Sequence, residues 1–224
     1  MVHASGDRNR YLEQRARLYL LAAVGGTAGL LLAALLAHPL FLILLPIPLL
    51  YCPGKHRAYA AGIRGENAVG SVLSAFDDRW YLFNSVCLPG ADGDIDHVLV
   101  GPKGVFVLET KNYAGFIACR QDAWYRKVRE RWIPLGRSPS RQAKYNATVL
   151  ARFLREKNLG EWVYAVIVFA NPAMKSIIED STVDIVYRDE LTRHILSYPD
   201  ILSEKRAAAI ASAIAGTGKK SGVF

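Results

Sequence analysis

Residues 93–111 read GDIDHVLVGPKGVFVLETK, and this stretch decides the fold of the region around it. Apolar runs on either side of Gly101-Pro102-Lys103-Gly104 are of strand length, and the short segment between them has turn composition. If the two strands pair antiparallel about that turn, Asp96 lies opposite Glu109. Side chains alternate between the faces of a strand, so Lys111 shares the face of Glu109. The stretch therefore predicts two acids and a lysine in one small volume.

Such an arrangement suits phosphodiester hydrolysis. Two carboxylates on neighbouring strands offer the oxygen ligands that Mg²⁺ or Mn²⁺ prefers. A bound divalent ion acidifies water and neutralises the charge that grows on a phosphate. Lys111 can orient the attacking water or stabilise that charge, and Glu66 from the preceding helix can complete the carboxylate set. Taken alone, Glu109-x-Lys111 is also a common pattern at a solvated strand end, but Asp96 lies among apolar residues, where an unpaired carboxylate is costly to bury.

Three further polar residues accompany this pattern. His97 alternates to the face opposite Asp96, which favours a structural role. Gln142 and Asn146 are four residues apart on one face of a predicted helix. They either pair with each other, or Gln142 faces the site.

The rest of the chain beyond residue 57 alternates helical and strand-like patterns without an internal repeat. Helices are predicted at Tyr59–Phe76, Ser138–Lys157, Arg188–Ser197 and Asp200–Ala215, and further strands at Trp80–Leu88, Gly115–Arg120, Ala123–Val128, Val163–Ala170 and Thr182–Tyr187. This order predicts an α/β fold with a mixed sheet flanked by helices, in a domain over 58–170 that a mostly helical extension over 171–224 completes.

Composition narrows the class of protein. The chain has 224 residues and a formal net charge of +8. A modest positive charge suits a polyanionic substrate or an anionic membrane surface and does not discriminate between them. Cys52, Cys87 and Cys119 form no C-x-x-C pair, which argues against a disulfide framework or a zinc site and indicates a reducing compartment.

The N-terminal quarter predicts a membrane segment over residues 18–51, behind a basic segment over 1–17. Leu18–Ala37 carries no charge and would span about 30 Å as a helix, the thickness of the hydrocarbon layer. The apolar run Leu40–Tyr51 is shorter and contains two prolines, so it is too broken for an ordinary span. Basic residues lie on both sides of the block, which favours two cytoplasmic ends and hence a helical hairpin or re-entrant element, with a single crossing as the alternative. The expected location is the cell membrane, with the globular part facing the cytoplasm.

The ordered motifs carry a family resemblance. They are Gly62-Ile63-Arg64-Gly65-Glu66, the two strands of residues 93–111, and Gln142-x-x-x-Asn146. The set resembles the NERD, or nuclease-related, domain of the PD-(D/E)xK superfamily, which has the restriction-endonuclease-like fold. The resemblance covers residues 58–170. Ile95 stands where the superfamily name has proline.

This resemblance implies a Mg²⁺- or Mn²⁺-dependent nuclease that acts on DNA, with RNA also open. The predicted membrane segment adds the lipid bilayer as a partner. Its catalytic residues would be Glu66, Asp96, Glu109, Lys111 and Gln142, with the metal held by Asp96, Glu109 and Glu66. A binding module that holds nucleic acid or protein without cutting is the alternative, and a membrane scaffold is a third hypothesis. A basic, aromatic segment over 120–144 is either a solvated face or a nucleic-acid contact. No G-x-x-x-x-G-K-[ST] loop is present, so no nucleotide cofactor is expected.

Overall fold

A computed structural model describes residues 4–5 and 8–219 of the chain. The chain divides into two compact units, one within residues 8–64 and the other comprising 65–219 with 4–5. The helices are α1 (Arg8–Leu36), α2 (Cys52–Leu73), α3 (Pro139–Glu156), α4 (Leu191–Leu196) and α5 (Glu204–Ala215). The strands are β1 (Ala4–Ser5), β2 (Tyr81–Cys87), β3 (Asp94–Gly101), β4 (Gly104–Lys111), β5 (Phe116–Arg120), β6 (Ala123–Val128), β7 (Arg131–Pro134), β8 (Val163–Phe169), β9 (Lys175–Glu179) and β10 (Asp184–Tyr187).

The N-terminal unit is a helical hairpin. After α1 the chain forms a 3₁₀ helix at Pro39–Leu44 and a π-helical turn at Ile47–Tyr51, which lead into α2. The returning segment lies against α1, because a Cβ atom at Gly26 would be 3.3 Å from the Cβ of Pro48. The helical stretches Glu13–Leu36 and Pro39–Leu73 are each long and apolar enough to cross a membrane, by length and composition only.

The predicted start of the first globular helix at Tyr59 is wrong. Helical structure continues from the second apolar run, and α2 begins at Cys52. Pro53 lies in the first turn of this helix, where a missing backbone N–H costs nothing because that group has no partner inside the helix. Helical structure also continues through the prolines of the apolar run, since the turn at Ile47–Tyr51 leads directly into α2.

The main sheet has six strands in the order β1-β2-β3-β4-β8-β10. β2, β3 and β4 are antiparallel to one another, while β8 and β10 continue from β4 in parallel. The predicted β3–β4 register is confirmed, since His97 pairs with Leu108 and Val100 pairs with Val105. β8, expected as a buried internal strand, lies between β4 and β10.

Helices cover both faces of this sheet, as expected for a mixed α/β fold. Val98 and Val107 face one core layer, which contains apolar residues of α3 and α5. Leu99, Phe106 and Leu108 face the other layer, which contains apolar residues of α2 and α4. The sheet is therefore buried on both sides, and polar side chains in its strands need internal partners.

A second sheet was not foreseen. It has four strands in the order β7-β6-β5-β9. The predicted hairpin of β5 and β6 is confirmed, but the sequence pattern indicated neither β7 nor β9. Both are short and largely exposed, so they lack the apolar alternation by which a strand is recognised.

The end of β3, at the turn to β4, requires glycine at position 101, and this requirement can be tested. A Cβ atom at Gly101 would lie 2.2 Å from Cε3 of the buried Trp80 ring. Gly101→Ala is expected to lower the free energy of unfolding by about 3 kcal/mol, the upper end for overpacking a core. All four tryptophans, at positions 80, 124, 132 and 162, lie beyond residue 64, so urea unfolding followed by their fluorescence reports on the globular unit. Gly136→Ala is the matched control, because a Cβ there would meet nothing within 4 Å; equal stability of the two variants would contradict the packing argument.

Candidate active site

The site lies where β3 begins and β4 ends. Asp96 is 2% exposed and Glu109 is 1% exposed. The ladder between the two strands ends at the His97–Leu108 pair, and beyond it the backbone N–H of Thr110 donates to Asp96 Oδ2 at 2.8 Å. A side-chain carboxylate thus accepts a hydrogen bond from the β4 backbone, which fixes Asp96 beside the strand that carries Glu109.

The sheet is distorted at the level of Asp96. On β2 the buried Ser85 has φ of 52°, between the pairs Asn84–His97 and Val86–Ile95. A non-glycine residue in the left-handed region costs roughly 1–3 kcal/mol and is held there only by its surroundings. On β3, Ile95 faces the same core layer as Val98, so the regular alternation of that strand breaks between them. A strained backbone position therefore lies beside the predicted catalytic acid.

Glu109 and Lys111 form a buried ion pair. Lys111 Nζ lies 2.6 Å from Glu109 Oε1 and also donates to Gln142 Oε1 at 3.0 Å. Asn146 Nδ2 donates to the other carboxylate oxygen, Glu109 Oε2, at 3.1 Å. Both polar residues of α3 reach the pair, so the structure favours the interpretation in which Gln142 faces the site.

The helix that supplies these two amides is placed by its N-terminus. The hydroxyl of Ser138 caps α3 by accepting from the backbone N–H of Arg141, and Pro139 occupies the first turn. The spacing of four between Gln142 and Asn146 then puts both on one face. Asn146 was not among the predicted catalytic residues, although this spacing was a sufficient signal.

The charges of the site reinforce one another. Burial lowers the pKa of Lys111, but its ion pair and hydrogen bond with Glu109 outweigh burial and leave the pKa above the ordinary lysine value. Lys111 is therefore charged at neutral pH, and the stability that its raised pKa contributes is present below the ordinary lysine pKa and is lost as the pH rises through the raised value. Burial also raises the pKa of Tyr113, against the opposing effect of Lys111. Tyr113 is a second residue that the sequence reasoning missed, and its position two residues after Lys111 was the available signal.

Glu66 and His97 belong to the side of the sheet that α2 covers. Glu66 is buried on α2, and a Cβ atom at the preceding Gly65 would be 2.7 Å from Asn112 Cβ, so this part of α2 lies at the end of β4. His97 Nδ1 is 2.7 Å from Asn84 Oδ1, and a Cβ atom at Gly70 of α2 would be 3.5 Å from His97 Cε1, so His97 faces α2. The structure thus brings Asp96, Glu109, Lys111 and Gln142 together, with Glu66 on the neighbouring layer.

The fit to a divalent metal rests on the chemistry of the donors. Asp96 and Glu109 supply hard carboxylate oxygens on adjacent strands, the ligand type that Mg²⁺ and Mn²⁺ take. Among residues 4–5 and 8–219, no group of three or more His, Cys, Asp or Glu is arranged to hold a metal ion. The ammonium of Lys111 is the cation at Glu109 in this arrangement. The three-carboxylate set with Glu66 stays a prediction.

Asn146 offers a test of how the buried acid is stabilised. Asn146→Ala removes a donor to a buried carboxylate, and we expect the free energy of unfolding to fall by about 1.5–3 kcal/mol, the range for hydrogen bonds to charged groups. Thr148→Ala, on an exposed position of the same helix, should change it by less than about 0.5 kcal/mol. Tryptophan-detected urea unfolding compares the two, and a loss no greater for Asn146→Ala would show that Glu109 does not depend on this amide.

Comparison with known proteins points to the same region. Residues 61–170 match the family described as NERD, nuclease-related domain. An uncharacterized protein of Bacillus anthracis is 40% identical over 86 residues, which are 37% of this chain and 41% of that protein. The chain thus spans less than half the length of that relative. No solved structure matches the chain.

The matched range contains all five predicted catalytic residues, from Glu66 to Gln142. It also contains β2 to β8 of the fold, including the distorted strand pair that holds Asp96. The chain therefore carries a NERD, nuclease-related, domain at residues 61–170.

Proposed function

We propose that this protein is a membrane-anchored nuclease that hydrolyses phosphodiester bonds in DNA with the help of Mg²⁺ or Mn²⁺. The observation that carries the proposal is the buried set of Asp96, Glu109 and Lys111 inside a nuclease-related domain. Buried charges are expensive, so a protein keeps them where they are paired or where they serve a function.

The residues of the site have separable tasks in this proposal. Thr110 N–H fixes Asp96, and Asn146 fixes one oxygen of Glu109, so both carboxylates are held before substrate arrives. Gln142 holds the ammonium of Lys111, which then presents a localised positive charge to a phosphate. A divalent ion bound through Asp96 and Glu109, with Glu66 as a further ligand, would supply an acidified water and neutralise charge on the phosphate.

The anchor is proposed from the N-terminal hairpin. Its two helical stretches have the length and composition of membrane spans. Basic residues precede the apolar part of α1 and occur again at Lys55 and Arg57. Under the positive-inside rule this places both ends of the hairpin, and hence the nuclease-related domain, on the cytoplasmic side. Cysteine-accessibility labelling at a position introduced before residue 8 tests this arrangement. Reaction from outside the cell would contradict it.

The test of activity uses the full chain purified in detergent. Supercoiled plasmid DNA is incubated with Mg²⁺, with Mn²⁺ and with EDTA, beside an Asp96→Ala variant. We expect nicking or cutting that EDTA stops and that the variant lacks. Without metal-dependent cleavage that distinguishes the two proteins, the enzyme proposal fails.

One observation favours a second function, a nucleic-acid-binding module that does not cut. The ammonium of Lys111 already neutralises Glu109 at 2.6 Å, so the charge of this acid is compensated within the protein. Such a module would bind DNA in a salt-sensitive manner, and binding would survive Glu109→Ala. The activity assay and a binding assay on the same variants separate the two functions.

A further inference from the structure

The outer face of the second sheet combines aromatic rings with lysines. One face of this sheet is buried: Ile117, Cys119 and Trp124 pack against Phe169 of the main sheet. The other face is open, and we call it the outer face. Its members, which strand alternation and pairing place together, are Phe116, Ala118, Tyr125, Lys127, Trp132, Lys175 and Ile177.

The aromatic side chains of the outer face are accessible. Phe116 is 44% exposed and Trp132 is 41% exposed. Tyr125 and Trp132 line a shallow hollow of about 310 Å³ together with Ala118, Arg120 and Ile177. A hollow of this size and lining can receive a flat ring system between aromatic walls.

Cations surround these rings. Lys127 Nζ and Lys175 Nζ lie 5.9 Å and 5.5 Å from the centroid of the Phe116 ring, one on each neighbouring strand. Lys127 also pairs with Glu130, and Arg120 pairs with Glu179. Because Arg129 in the β6–β7 turn adds another positive charge, basic residues outnumber acidic ones over this face.

The outer face leads to the candidate active site. β5 begins at Phe116, five residues after Lys111, and five residues of extended chain reach at most about 18 Å. Tyr113 lies between them, and its pKa responds to burial and to charges on both sides, with Lys111 and Arg126 lowering it and Glu109 raising it. A strand of nucleic acid on the outer face therefore lies within a few nucleotides of the acids.

From this combination we propose that the outer face binds single-stranded nucleic acid, with bases stacked on Phe116, Tyr125 and Trp132 and phosphates paired with the surrounding lysines and arginines. Stacking on a sheet with flanking cations is a sequence-tolerant way to hold a single strand, because every base has an aromatic face. The inference rests on the proposed nuclease function and adds that the outer face holds one unpaired strand of the substrate, such as the locally opened segments of a supercoiled plasmid offer.

The same face could serve an anionic membrane, and two features argue against that use. The rings line a hollow in the sheet instead of projecting from a loop tip. Glu130 and Glu179 lie beside the basic residues, and these acids would repel an anionic surface while leaving room for spaced phosphates. Binding to anionic vesicles is therefore measured alongside binding to the oligonucleotide.

The test measures fluorescence anisotropy of a labelled oligo-dT of about 20 nucleotides with the full chain in detergent, in EDTA so that metal-dependent cleavage does not interfere. Trp132→Ala is expected to weaken binding about tenfold, and Phe116→Ala with Trp132→Ala about a hundredfold, from the measured worth of base stacking. Trp162→Ala is the matched control, since Trp162 is 72% exposed but precedes β8 away from this sheet. Its affinity should equal that of the unchanged protein.

The basic residues of the outer face are tested separately, through the salt dependence of binding. Lys175→Ala should reduce the slope of log Kd against log salt concentration by about 0.7, the value for one phosphate contact on a single strand. Lys157→Ala is its control, because Lys157 makes a comparable ring contact, 6.0 Å from the Phe153 centroid, at the end of α3. An unchanged slope in Lys175→Ala would contradict the phosphate contact.

Each outcome decides the inference. It is overturned if oligo-dT does not bind, if Trp132→Ala binds as well as Trp162→Ala, if a duplex of equal length binds more tightly, or if phosphatidylserine vesicles bind in place of the oligonucleotide. It is supported by the expected losses with oligo-dT or with oligo-U, and the ratio of the affinities for oligo-dU and oligo-U, which differ only in the sugar, identifies the preferred sugar. Binding in EDTA is measured without cleavage, so the two proposals can fail separately. The protein can bind through its rings and not cut, or cut and not bind through its rings, and the two assays distinguish these results.

Discussion

Glu109→Gln is expected to lower metal-dependent DNA cleavage by the full chain at least about 1,000-fold. In the proposed function Glu109 is a metal ligand, and a divalent ion contributes several kcal/mol of stabilisation to the transition state, where each 1.36 kcal/mol is a factor of ten in rate. The amide of Gln has nearly the same shape as the carboxylate but binds a hard divalent cation poorly. The rate of plasmid nicking, measured in Mn²⁺ and in Mg²⁺, gives the size of the effect.

The control for this change is Glu190→Gln, which removes an equal charge from a side chain that is 51% exposed. It should leave the cleavage rate within a factor of two. Cleavage by Glu109→Gln within tenfold of the unchanged protein would remove Glu109 from the proposed metal site. The thermal midpoint of each variant must be measured alongside, because Glu109 also pairs with Lys111 inside the protein.

Residues 93–111 carry most of what could be predicted about the site. A two-strand segment with a glycine-rich turn has one register that buries its apolar residues, so the approach of Asp96 to Glu109 follows from local sequence alone. By contrast, the hydrogen bond from Thr110 N–H to Asp96 and the left-handed φ of Ser85 depend on where the ladder opens, and no local pattern encodes that.

The failures have physical causes as well. The start of α2 was misplaced because the apolar run Leu40–Tyr51 was interpreted as broken by its two prolines, whereas helical structure continues through that run into α2. β7 and β9 were missed because their side chains are mostly exposed, so hydrophobic periodicity is absent. Their partners are set by tertiary pairing: β9 lies parallel to β5, more than fifty residues away in the chain.

The ion pair predicts the largest effect on stability. Lys111→Met is expected to lower the free energy of unfolding of the globular unit by about 3–5 kcal/mol, because it leaves the charge of Glu109 buried without its partner. Glu109 can relieve this by taking up a proton, so the loss should shrink as the pH falls toward 4. Urea unfolding followed by tryptophan fluorescence at pH 7 and at pH 5 measures both effects.

The double variant Lys111→Met with Glu109→Gln separates the pair from the fold around it. With both charges gone, Gln142 and Asn146 face neutral groups of similar volume, and replacing a buried ion pair in this way is often nearly neutral. We therefore expect the double variant to recover most of the stability lost in Lys111→Met, with a coupling energy of about 2–3 kcal/mol and little change between pH 7 and pH 5. It should nevertheless be inactive in the plasmid assay, because both the proposed ligand and the proposed cation are missing. A double variant as unstable as Lys111→Met would mean that shape rather than charge stabilises this part of the core. A stable and inactive double variant would mean that folding does not require the two charges and that they serve the function.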